Sequence, residues 1–265
     1  MRKYLKYLTL LILTSCASVP VTHRKQLSLV PETELIKSSE VAYQTFLNEN
    51  TVLSENNPNT MMVKRVGDKL SKACEAFLRD HSDISRIDGF KWEFNLVQDP
   101  QKNAWCMPGG KVVVYDGILS TTQDETGLAV VLSHEIAHAI ARHGNERVSQ
   151  QMLSQYGGTA VQLLMGSPDA GGVDLSGLVL NAYATGAQLG MLKFSRDQET
   201  EADKMGLVFM EYAGYDSSEA IEFWKRMSAG GGADIPALLS THPADEKRIA
   251  DIEAYIPVAK SYVKL

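Results

Sequence analysis

Between about residues 32 and 80 apolar side chains return every three or four positions, in SSEVAYQTFLNEN and again in MMVKRVGDKLSKACEAFLRD, with polar ENNPN between them. That spacing predicts two amphipathic helices separated by a turn. FKWEFNLVQD then alternates apolar and polar residues as a half-buried strand does, and GGKVVVYDG supplies a second strand bounded by glycines. Helical spacing resumes from about Gln123 to His143, then from about Gly144 to Met165, Leu175 to Leu192, Arg196 to Tyr212 and Ser217 to Met227. The expected fold class is α+β, predominantly α, with one small sheet ahead of a very apolar helix. No internal repeat is visible, so residues 32–265 are expected to form one catalytic-sized domain without a helical-repeat array.

Two segments bear on membranes. The stretch from Tyr156 to Leu192 is rich in Gly, Ala and Leu, with Asp169 and Asp174 as its charges. It is interrupted by SPDAGG, and neither half reaches the ~20 apolar residues of a spanning helix. A small-residue helical hairpin packed on the core is expected there, with a cover over a cleft as the functional alternative. The start, MRKYLKYLTLLILTSCASVP, has a basic end, a short apolar run and then small residues, the layout of a secretory signal over residues 1–15. Its LTSC resembles the bacterial lipobox, which implies an acylated Cys16 as the mature end and a membrane anchor made of lipid. Residues 16–31, without periodicity, are expected to be a tether. These features predict a lipid-anchored protein of the bacterial cell envelope, periplasm-facing and on the outer rather than the inner membrane.

Composition narrows the field. The chain has 265 residues, 44% hydrophobic and 22% charged, which is ordinary for a globular domain. A net charge of −6 leaves no general attraction for nucleic acid or anionic lipid. Cys74 and Cys106 remain after Cys16, and their pairing is left open.

The chemistry gathers in LSHEIAHAIARH, residues 132–143. On a helix His134 and His138 share one face and can present two imidazole nitrogens to one ion, while Glu135 lies about 100° around, within reach of a water on that ion. His143, nine residues past His134 on the same helix, is expected on the opposite side as a surface or outer-layer residue. A catalytic zinc site takes three protein ligands and leaves a position for water. The position where a third histidine would follow is Gly144, so a glutamate is sought, and SRDQETEADKMG lies about sixty residues downstream.

HEIAH followed by Glu199, Thr200, Glu201, Ala202 and Asp203 resembles the zinc metalloendopeptidase family that includes the membrane protease HtpX, the CAAX prenyl protease and periplasmic BepA-like and LoiP-like proteins. The resemblance implies a zincin-like domain of gluzincin type with one Zn2+. Its ligands are then His134, His138 and Glu199, with Asp203 accepting from a ligand histidine and Glu201 pointing into solvent. NAWCMPGGKVVVYDG is similar to the family's N-A-x-x-x-P-G-G segment, which implies a strand at the cleft edge, from Asn103 and Ala104, that pairs with substrate backbone. STHPADEKRI resembles its H-P-x-x-x-x-R and implies that His242 and Arg248 stabilise the oxyanion across the cleft. With Glu135 as general base, the implied activity is hydrolysis of peptide bonds in misfolded or misassembled envelope proteins, with envelope assembly machinery as a possible partner. The alternative is a periplasmic chaperone or assembly factor that holds clients in the cleft. The loop SAGGGADIPALLSTHP is read as a gate for His242 or as a passive connector.

Overall fold

A computed structural model of the chain describes residues 16–156, 195–229 and 236–263. The leader before Cys16, most of the expected hairpin at 156–192 and the glycine run of the 229–241 loop lie outside the described residues.

The expected helices at 32–80 form as α1 (Glu32–Glu49) and α2 (Pro58–His81). Asn57 caps α2 by accepting from the Asn59 amide, and Pro58 opens its first turn, where a missing N–H costs nothing. The sheet follows, with β3 (Glu93–Val97), β4 (Ala104–Met107) and β5 (Lys111–Tyr115) in the order β3-β5-β4. β3 runs parallel to β5 in the register Glu93↔Lys111, and β4 pairs antiparallel with Ala104 opposite Val114. β4 thus lies at a sheet edge. It is four residues long, too short for periodicity alone to reveal.

After the short α3 (Leu119–Thr122), helix α4 (Glu125–Ile140) carries HEIAH. Asp124 caps it, accepting from the Thr126 and Gly127 amides. Every residue from Gly127 to Ile140 is buried, so α4 is a central helix, covered all round by β4, α2 and α6 (Arg196–Tyr212). Ser195 and Gln198 form a capping box at the start of α6. Gly206 lets α6 approach α4: a Cβ there would stand 3.2 Å from the His134 amide nitrogen and 3.3 Å from the Ser133 carbonyl carbon. Helices α7 (Glu219–Ala229), α8 (Ala237–Thr241) and α9 (Glu246–Ser261) close the domain. The β4 side chains divide by parity. Ala104 and Cys106 join the main core under α4, while Trp105 and Met107 face Tyr43 and Phe46 of α1.

Two expectations fail here. The helix expected to run on to His143 stops at Ile140; Arg142 adopts φ 57°, and His143 opens a new helix, α5 (His143–Tyr156). Residues 16–31 are docked rather than a tether. β1 (Cys16–Ser18) pairs antiparallel with β2 (Lys25–Leu27), Val19 and Val30 are buried, and the Arg86 guanidinium donates to the Ser18 carbonyl. Cys74 and Cys106 are buried free thiols, which settles their pairing in this structure.

Candidate metal centre

Spacing on α4 and α6 brings the predicted ligands together. His134 and His138, one turn apart, direct their Nε2 atoms to within 3.1 Å of each other. Glu199, on the first turn of α6, places Oε1 3.5 Å from His138 Nε2. His242, which caps α8, adds Nδ1 at 3.1 Å from His134 Nε2 and 2.9 Å from Glu199 Oε1. These four donors lie within 4.8 Å of one another, and each residue is at most 5% exposed.

The donor set fits zinc. Ring nitrogens converge on one another in a buried site, an arrangement that a cation between them would stabilise. Glu135 Oε1 is buried without a hydrogen bond, 3.5 Å from His242 Nε2, and so faces the same space. Burial pushes the Glu135 carboxyl upward, partly offset by His242 and His134. Burial also opposes the Glu199 carboxylate, but His242, Arg248 and His134 outweigh it and hold it well below the usual range. Burial and neighbouring His134 keep His138 neutral, the form that ligates.

A layer of charged groups lies behind these donors. His134 Nδ1 stands 3.0 Å from Asp203 Oδ1, and donation to that carboxylate fixes Nε2 as the ligating atom. Arg248, expected to face an oxyanion, is spent elsewhere. It donates from Nε and Nη2 to Asp203 at 2.8 and 2.7 Å and from Nη1 to the Pro243 carbonyl at 3.0 Å. Its Nη1 is also 3.1 Å from Glu199, and the guanidinium lies 3.6 Å over the Trp224 ring. It braces the ligands from the protein side.

Glu201 is not solvated. At 3% exposure it accepts from Thr22, from Arg24 Nε at 2.8 Å and from His143 Nε2 at 3.1 Å. Burial would raise its carboxyl, but these three donors hold it down at about 2. His143 is likewise buried against His138, because the break at Arg142 swings it back over α4. Trp224, Gly206 and Arg24 escaped the sequence reading. Gly206 carried a signal, lying two helical turns after Glu199 on the same face; Trp224 and Arg24 carried none.

The chain resembles known proteins over most of its length. Residues 68–256 match the model of Peptidase family M48. The chain is 35% identical over 246 residues to the mitochondrial metalloendopeptidase OMA1 of Schizosaccharomyces pombe, covering 91% of this chain and 67% of that protein. It is 30% identical over 273 residues to its Saccharomyces cerevisiae counterpart, covering 97% and 75%. The β-barrel assembly-enhancing protease of Escherichia coli is 30% identical over 177 residues, covering 63% of this chain and 35% of that protein. These relatives overturn the expected bacterial-envelope, periplasm-facing location, since those matching nearly the whole chain are mitochondrial proteins of eukaryotes and the bacterial one matches less of it. No helix among the described residues is long and apolar enough to cross a membrane.

Proposed function

The chain belongs to peptidase family M48 and is a zinc metalloendopeptidase; from that premise we propose that it cleaves polypeptides presented in extended form along β4, with Glu135 as the base. The observation that carries the proposal is the buried Glu135 oxygen, which makes no hydrogen bond and lies 3.5 Å from His242, itself grouped with His134, His138 and Glu199.

His134, His138 and Glu199 would hold the zinc, which would supply a Lewis acid for the scissile carbonyl and lower the pKa of the attacking water. Glu135 then takes that water's proton and hands it to the leaving amine. A buried carboxylate oxygen without a hydrogen bond, as Glu135 Oε1 is, needs no bond broken to accept it. β4 lies at a sheet edge and packs against α4, which supports pairing of its outer edge with an extended substrate beginning near Asn103 and Ala104, although the Asn103 carbonyl already accepts from Tyr115 and its side chain accepts from the Ala104 amide. His242 is the proposed oxyanion donor. In this conformation it stands among the ligands, and a fourth protein donor would fill the position that catalysis leaves to water, so the α8 turn carries it aside as substrate enters.

Substrates are proposed to include misfolded or misassembled proteins; the bacterial relative is named for enhancing β-barrel assembly. Cys16 is proposed as a point of acyl attachment to a membrane, on the residues around it alone. Holding clients without cleaving them, the alternative function, gives Glu135 no task. The test is cleavage of an unfolded protein with and without a zinc chelator. Chelator-sensitive fragments support the proposal, and binding without fragments refutes it.

A further inference from the structure

His138 has a second nitrogen, and the structure gives it a partner. Its Nε2 is among the ligand atoms, while its Nδ1 stands 2.8 Å from Nδ1 of His143. A neutral His138 that offers the Nε2 lone pair carries its proton on Nδ1 and donates it to His143 Nδ1. The His143 proton is then on Nε2, which faces Glu201 Oε2 at 3.1 Å. The line continues past Glu201. Arg24 donates to it from Nε at 2.8 Å and turns both terminal nitrogens onto Glu146 of α5, each at 2.7 Å. Glu146 also accepts from Gln198, the capping-box residue that starts α6. Thus the loop between β1 and β2 delivers one guanidinium between two buried carboxylates, directly behind a metal ligand.

We propose that His143, Glu201 and Arg24 are positioning residues for the zinc ligand His138, so that docking of residues 16–27 forms part of the metal centre's affinity. The inference rests on His138 being a zinc ligand. Asp203 does for His134 what His143 does for His138, but the His138 line leaves the catalytic helices and ends on the N-terminal hairpin. Without Arg24, Glu146 and Glu201 lose their shared countercharge, and α5 and α6 are left with the Gln198 and His143 contacts at this point.

The test is zinc affinity by competition with a chromophoric chelator, together with the visible spectrum of the cobalt form, on the full chain. His143→Ala and Glu201→Ala are expected to bind zinc roughly 10–100-fold more weakly, and Arg24→Ala about tenfold. Glu201→Gln keeps a carbonyl acceptor for His143 and is expected to recover most of the loss of Glu201→Ala. A merely structural role would lower thermal stability yet leave the affinity and cobalt spectrum of the folded protein unchanged, and that result overturns the inference. If an alanine variant does not fold, the wild type decides. With 15N-labelled histidine in the zinc form, a protected His138 Nδ1–H proton correlated with His143 is expected, and a rapidly exchanging one overturns the inference. Failure of the wild type to bind zinc would refute the metal reading itself, a result distinct from variants that bind zinc as the wild type does.

Discussion

Replacing Arg248 with methionine removes one charge from beneath the metal ligands and keeps most of the side-chain volume. In the structure this guanidinium is 8% exposed and donates to both oxygens of Asp203, with Glu199 3.1 Å away. Its removal leaves two buried carboxylates, Asp203 and Glu199, without their shared guanidinium. Breaking a buried pair from one side costs about 3–5 kcal/mol. Loss of the stacking on Trp224 adds to this, and a methionine thioether over the ring returns part of it. For a domain of this size about 2–4 °C accompanies each kcal/mol, so the metal-free Arg248→Met protein should melt roughly 6–20 °C below wild type. Zinc supplies positive charge to Glu199 and, through His134, to Asp203, so the deficit should shrink when zinc is bound. Adding Asp203→Asn should also recover part of the metal-free loss, a coupling expected of groups in direct contact. Differential scanning calorimetry of the metal-free and zinc forms measures all of this. A metal-free deficit under about 2 °C, or one that grows with zinc, refutes the reasoning.

Glu199→Ala should lose bound metal on elemental analysis, whereas His242→Ala should keep about one zinc per chain, because three donors remain. Gly206→Ala should weaken zinc binding in a chelator titration although alanine is the better helix former, because its Cβ meets the α4 backbone at 3.2 Å and displaces the helix that carries Glu199. Cys74 and Cys106 should resist iodoacetamide in the native protein and react after unfolding, since burial pushes both thiols well above their usual pKa and the thiolate is the reactive form.

The site was legible where chemistry and helical period coincide. HEIAH sets His134, His138 and Glu135 on adjacent faces of one turn, and Glu199 with Asp203 repeats the i, i+4 relation on a second helix. The alternation in FKWEFNLVQD predicted β3, and glycines bounded the segment containing β5. What stayed hidden depends on backbone turns and distant partners. Arg142 takes a left-handed conformation that non-glycine residues rarely adopt, so continuing the α4 period past it placed His143 on the wrong side. Glu201 reads as an exposed helix charge until Arg24 and Thr22, 177 and 179 residues away, arrive beside it. The hairpin from Cys16 to Leu27 has strands of three residues, below any hydropathy period, and is held both by Val19 in the core and by polar contacts such as those of Arg86 and Gln26. Helix α9 carries Pro257, a residue that normally argues against a helix interior, yet Asp245 caps its start and Ile252, Ile256 and Ala259 line its buried face.

The central claim is that Glu135 moves the proton for a metal that His134, His138 and Glu199 hold. It is tested most directly by measuring zinc content and turnover together in Glu135→Gln. The amide keeps the shape of the site and cannot accept the proton, so about one zinc per chain with cleavage lost by a factor of 10² or more is the expected result. Cleavage close to wild type in the zinc-loaded variant would contradict the account, as would loss of zinc along with loss of cleavage.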